Sequence, residues 1–114
     1  MITATFIADS EMYELYLKVH GHAGQAEIGQ DIICASASIL AHTYASLVYS
    51  LRREMDCEPI IDLTGGNTNV SCRCKEAITY KEILYALRYT RTGYELLARD
   101  YPRFVEVNVV GEDF

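Results

Sequence analysis

Apolar and polar residues alternate twice within the first twenty positions. Ile2, Ala4, Phe6 and Ala8 stand against Thr3, Thr5 and Ile7, and Tyr13, Leu15, Leu17 and Val19 stand against Glu14, Tyr16, Lys18 and His20. A period of two is that of a half-buried strand. The four residues Asp9-Ser10-Glu11-Met12 between the runs suit a short antiparallel hairpin. The period then changes. Ile33, Ala37, Leu40, Tyr44, Leu47, Val48 and Leu51 recur mostly in steps of three and four, which draws one apolar stripe along a helix over 32–54. Asp31 stands where an N-cap belongs, and Arg52 and Arg53 fall in the last turn, where cations suit the helix dipole.

Pro59-Ile60-Ile61-Asp62-Leu63 and Thr68-Asn69-Val70-Ser71-Cys72-Arg73-Cys74 flank Thr64-Gly65-Gly66-Asn67, a second hairpin with glycines in its turn. Thr79-Tyr80-Lys81-Glu82 has the spacing of a capping box and opens a second helix over 80–101, with Ile83, Leu87, Tyr94, Leu97 and Tyr101 on its buried side. Gly93 inside that helix costs about 1 kcal/mol relative to alanine, so a close backbone contact or a bend is expected there. Pro102 ends the helix, and Phe104-Val105-Glu106-Val107-Asn108-Val109-Val110 is a last strand.

The order ββαββαβ predicts an α+β fold in two layers, a five-stranded mostly antiparallel or mixed sheet with two long helices on one face. The other face needs a cover if it is apolar, as the Val-rich run over 105–110 suggests. A second copy of the chain is the natural one, because two-fold dimers are the commonest soluble oligomers. At 114 residues, with no stretch that reads as a linker, the chain is expected to be one domain over 1–114.

Composition narrows the function classes. With 50% hydrophobic and 23% charged residues, the composition is close to ordinary globular usage and argues against long disorder. The net charge of −6 argues against non-specific nucleic-acid binding, which needs phosphate neutralisation. It serves solubility first and is compatible with a basic protein partner. No N-terminal segment joins basic residues to a long apolar run, and no run is expected to approach the roughly 20 apolar residues of a membrane span. The expectation is a cytoplasmic protein in which Cys34, Cys57, Cys72 and Cys74 are reduced thiols.

The chemistry concentrates between the second strand and the first helix. Gly21, Gly24 and Gly29 punctuate a loop with His22 at one end and Cys34 just past the other, and such a loop can move. A thiol of ordinary pKa, about 8.5, is mostly protonated at neutral pH and needs a base to become a nucleophile. A position in the first helical turn helps, since the partial positive charge and free amides there favour a thiolate and can receive an oxyanion. Ser38 shares the helix face of Cys34, off the apolar stripe.

Other readings of the same residues stand beside this one. A free cysteine is often a small buried apolar residue, Asp31 either caps the helix or orients an imidazole, and Ser38 either bonds near the thiolate or closes on the preceding turn. Among the histidines, His42 lies eight residues beyond Cys34, about 12 Å along a helix, which is too far. His20 belongs to the strand. His22 lies past the strand, beside the loop glycines, and can turn toward the helix start. Cys72-Arg73-Cys74 lacks the spacing of a zinc knuckle, and Gly65-Gly66 lacks the Lys-Ser/Thr of a phosphate loop. No metal or other cofactor is expected.

Gly21-His22-Ala23, followed by Gly29, Asp31-Ile32-Ile33-Cys34-Ala35 and Ser38, resembles the signature of the ribosomal-processing cysteine protease family, Prp. The likeness continues through Tyr94-Glu95-Leu96-Leu97-Ala98 and Tyr101-Pro102. It implies a cysteine endopeptidase with His22 as base and Cys34 as nucleophile, in a homodimeric α/β domain; beside that dyad, Asp31, Ala35 and Ser38 are the candidates for supporting or oxyanion positions. Members remove a short N-terminal extension from a large-subunit ribosomal protein, the twenty-seventh of its series, in Firmicutes and related bacteria. Cleavage there follows aromatic residues, and the loop between histidine and cysteine moves to admit substrate. The implied partner is thus a peptide segment of a ribosomal protein, with no direct contact to nucleic acid or membrane. Similar phage proteins act on capsid or scaffold proteins. The family often carries aromatic residues where this chain has Gln25 and Ile28, a departure that bears on loop closure and substrate preference. The alternatives from other classes are a non-catalytic peptide- or ribosome-binding assembly factor and a redox-sensing thiol domain.

Overall fold

A computed structural model describes residues 1–22, 30–111 and 114, without the side chains of Gln30 and Asp31. Its elements follow the expected order: β1 (Ile2–Asp9), β2 (Glu14–His20), α1 (Gln30–Ser50), a short 3-10 turn (Arg52–Glu54), β3 (Ile60–Thr64), β4 (Asn67–Arg73), α2 (Ala77–Asp100) and β5 (Val105–Val110). The strands form one mixed sheet in the order β3-β4-β2-β1-β5. All neighbours are antiparallel except β1 and β5, which run parallel with Ile2 opposite Val105. Both crossovers, β2 to β3 and β4 to β5, are made by the long helices.

The strand alternation decides which face the helices cover. Ala4, Phe6, Leu15, Leu17, Val19 and Val70 point into one buried cluster with Ile33, Tyr44 and Val48 of α1 and Ile83, Leu87 and Tyr94 of α2. Cys72 and Cys74 are buried in the same cluster, so they act as core residues. Phe6 meets Tyr94 edge to face, ring centroids 5.8 Å apart. Gly93 is where the helices approach each other, since a Cβ there would lie 2.5 Å from Cδ2 of Leu40. The backbone contact expected at this glycine is therefore with α1.

The reverse face differs from the expectation. Register places Thr3, Thr5, Lys18, His20, Asn69, Ser71, Glu106 and Asn108 on it, beside Ile7, Tyr16 and Val110. Val105, Val107 and Val109 alternate toward the helical side, with Val105 and Val107 packed on the core, so the Val-rich run does not make the open face apolar. It is predominantly polar, and the need for a cover falls away.

Three boundaries move. α1 begins at Gln30, which puts the Asp31 backbone inside the first turn rather than at the cap. It ends at Ser50, where the Leu51 amide is shared between the Leu47 and Val48 carbonyls at 3.2 and 3.1 Å, a tightening that continues as the 3-10 turn holding Arg52 and Arg53. α2 starts at Ala77, three residues before the expected helix start at 80, with Glu76 preceding it and making no side-chain cap bond, and Thr79 is buried within it. The expectation that no run reaches a membrane span is also corrected: Ile32–Ser50 is long and apolar enough by length and composition, with mean hydropathy 1.5. Its stripe of Ile33, Ala37, Ala41, Tyr44, Ala45 and Val48 packs into the core, and core helices pass the same test.

Candidate active site

One end of the sheet gathers three pieces of chain. β2 ends at His20, opposite Asn67 at the start of β4, so the chain leaving β2 runs past the turn of the β3–β4 hairpin. Gly21, at φ +97°, turns it there, a left-handed conformation that favours glycine. Its amide donates to the Gly66 carbonyl at 3.0 Å. The next carbonyl, of His22, accepts from the Met1 nitrogen at 2.7 Å. The backbone of His22 is thus tied on both sides just where β2 leaves the sheet.

The start of α1 completes the site. His22 and Cys34 line a single cleft of about 70 Å³ together with Ser38, Ala37 and Ala41 of α1, Gly21, and Gly66, Asn67 and Thr68 of the hairpin. Cys34 is half-buried, and His22 and Ser38 are exposed. The histidine alternatives separate as their spacing implies. His42 is exposed farther along α1, His20 sits on the open face of the sheet, and neither lines the cleft.

Helix geometry revises how the thiol meets the amides. With α1 starting at Gln30, Cys34 is its fifth residue, two positions later than expected and past the first turn. The amides of Cys34 and Ala35 then point at the carbonyls of Gln30 and Asp31, and the free donors are those of the first turn. Ala35 is exposed and does not line the cleft.

Gly24, Gly29 and the Asp31 side chain lie outside the described residues, as do Gln25 and Ile28. Sequence reading missed the hairpin turn as part of the site. Gly66 has φ +80°, and a Cβ built on it would fall 2.4 Å from Nε2 of His22. The signal available was the Gly65-Gly66 pair, which reads only as turn chemistry until the register sets it beside β2.

The chain has relatives. A family profile described as cysteine protease Prp matches residues 1–106. Among solved structures, the essential ribosomal processing protease Prp from S. aureus, in complex with a covalently linked product peptide, superposes with a TM-score of 0.71 at 23% identity, covering 96% of this chain and 99% of that one. The same protease in complex with a substrate peptide gives 0.69 at 23% identity, over 96% and 99% of the two chains. SMU.848 from Streptococcus mutans gives 0.69 at 24% identity, over 98% and 96%. At such identities these structures establish a shared fold. No curated protein matches the sequence.

Proposed function

Since the chain belongs to the Prp family of cysteine proteases and is a cysteine peptidase, we propose that it removes a short N-terminal extension from a large-subunit ribosomal protein, with Cys34 as nucleophile and His22 as base. One observation carries the residue assignment: His22 and Cys34 line the same cleft. The S. aureus relative in complex with a covalently linked product peptide supports covalent chemistry on a peptide.

The steps follow from the residues in the cleft. His22 takes the proton of the Cys34 thiol, and the thiolate attacks the scissile carbonyl carbon. The tetrahedral oxyanion faces the first-turn amides and the positive end of the helix dipole. As the intermediate collapses, the C–N bond breaks and the His22 imidazolium protonates the leaving amine. The N-terminal extension remains on sulfur as a thioester. Water, giving its proton to His22, then releases the extension as a carboxylate and restores the thiol. Asp31 and Ser38 are assigned as supporting groups, with Gly21, Gly24 and Gly29 as the pivots of a loop that admits the peptide.

The proposal extends to a homodimer in the cytoplasm. The family resemblance supports the first, and four cysteines without a disulfide suit a reducing compartment. An acidic chain of net charge −6 attracts a basic ribosomal protein. The test is to incubate the reduced protein with the extended ribosomal protein and read the products by intact mass, alongside Cys34→Ala and His22→Ala. The expected result is a single cut that needs both residues. A folded wild type that makes no cut would overturn the ribosomal substrate and turn the search to capsid or scaffold proteins of phages. Failure on those as well would leave a peptide-binding factor.

A further inference from the structure

A base that sits on an exposed chain segment must be held by something, and Gly66 is placed to do it. It occupies the turn of the β3–β4 hairpin with φ +80°. The three atoms closest to a Cβ built there all belong to the His22 ring: Nε2 at 2.4 Å, Cε1 at 2.6 Å and Cδ2 at 3.4 Å. The imidazole therefore rests its Nε2 edge on the bare α-carbon of the turn, and Nδ1 is the nitrogen farther from it. The Gly66 carbonyl meanwhile accepts the Gly21 amide at 3.0 Å. One residue thus fixes the backbone before His22 and leaves the room its ring occupies. Gly65, its neighbour in the turn, has nothing within 4 Å of the same construction and serves as an internal control.

We propose that Gly66 is the positioning residue of His22: the hairpin turn is the seat of the imidazole, and any side chain at 66 displaces the ring from Cys34. The proposal rests on the assignment of His22 as the base. It explains why a glycine is needed at a point of the cleft that contributes no functional group. A displacement on the order of 1 Å in a reacting group can cost about 100-fold in rate, so the effect is expected in turnover rather than in substrate affinity.

The test reads two quantities, peptide cleavage and the rate of Cys34 carbamidomethylation against pH, the latter assigned by peptide mapping because Cys57 is also exposed. Gly66→Ala, Gly65→Ala, His22→Ala and the double variant His22→Ala/Gly66→Ala are compared, with folding checked by thermal melting. Gly66→Asn is added because asparagine tolerates the left-handed backbone while still carrying a Cβ. Gly66→Ala and Gly66→Asn are expected to lower kcat about 10- to 100-fold with little change in KM. They should also move the thiol's pH profile toward that of His22→Ala, while Gly65→Ala stays within about twofold of wild type. Since Gly66 acts through His22, Gly66→Ala should add nothing to the alkylation profile of His22→Ala, whereas a merely structural role would add its own loss. Wild-type rates in a folded Gly66→Ala or Gly66→Asn, or additive losses in the double variant, would overturn the proposal while leaving the base assignment intact. An unchanged profile in His22→Ala would overturn both.

Discussion

Two buried tyrosines show how much depends on a single atom. The Tyr94 hydroxyl donates to the Ala37 carbonyl of α1 at 2.6 Å, whereas the Tyr44 hydroxyl is buried with no partner among the described residues. A typical hydrogen bond contributes about 1 kcal/mol net, while a buried polar atom left unpaired costs about 1–3 kcal/mol. Tyr94→Phe should therefore destabilise the fold by about 1 kcal/mol, and Tyr44→Phe should be neutral or stabilising, both read from chemical denaturation. Burial also raises the pKa of both phenols. In the unfolded chain they titrate near 10, so above that pH the unfolded state binds fewer protons and stability falls. The stabilisation from neutral, buried tyrosines is complete below about pH 10 and is lost as pH climbs toward the raised folded values. Alkaline denaturation should be shallower in Tyr44→Phe and Tyr94→Phe than in wild type. At this scale the sequence was informative where spacing fixed a direction. His22 and Cys34 line the same cleft while His42 does not, because strand end and helix period together leave few choices. Nothing local distinguishes Tyr44 from Tyr94, since only packing decides which hydroxyl finds an acceptor.

At the scale of elements, hydrophobic period located both long helices and the five strands of the sheet, and the misplaced ends have local causes. The capping-box spacing at Thr79 was overridden because the chain is already pinned upstream, with the Lys75 amide bonded to the Glu54 carbonyl at 3.0 Å and its Nζ to the Arg53 carbonyl at 3.1 Å. The helix can then begin at once, and Thr79 turns into the core. The α1–α2 contact at Gly93 was half legible. A helix-interior glycine announces a close neighbour, but Leu40 as that neighbour required the fold. Alanine at Gly93 gains about 1 kcal/mol of helix propensity and loses about 1–3 kcal/mol to overpacking against Leu40. Gly93→Ala should thus destabilise the wild type modestly and stabilise a Leu40→Ala background, a change of sign that a double-mutant cycle in urea detects. A cost that stays the same in both backgrounds would remove Leu40 as its cause.

For the whole molecule, the layer arrangement brings the end of β2, the hairpin turn and the start of α1 to one end of the sheet. That convergence assembles a cleft from residues that sequence distance keeps apart. The two hairpin pairs, β1–β2 and β3–β4, were legible from their turns, but the β2–β4 and β1–β5 neighbours were not: the parallel β1–β5 pair depends on where α2 returns the chain, which no local pattern encodes. The polar open face shows the same limit, because a run rich in valine reveals its facing only once its register is known. These features make the site a product of topology, with Cys34 supplied by α1, His22 by the end of β2 and its seat by the hairpin. The most direct measurement of that claim is an acid quench during cleavage of the extended ribosomal protein, followed by intact mass and mapping of the trapped enzyme. The expected result is a species heavier by the acylated N-terminal extension, carried on Cys34 as a thioester, absent in Cys34→Ala and strongly reduced in His22→Ala. Cleavage that persists in Cys34→Ala, or an acyl group mapped to another residue, would contradict it.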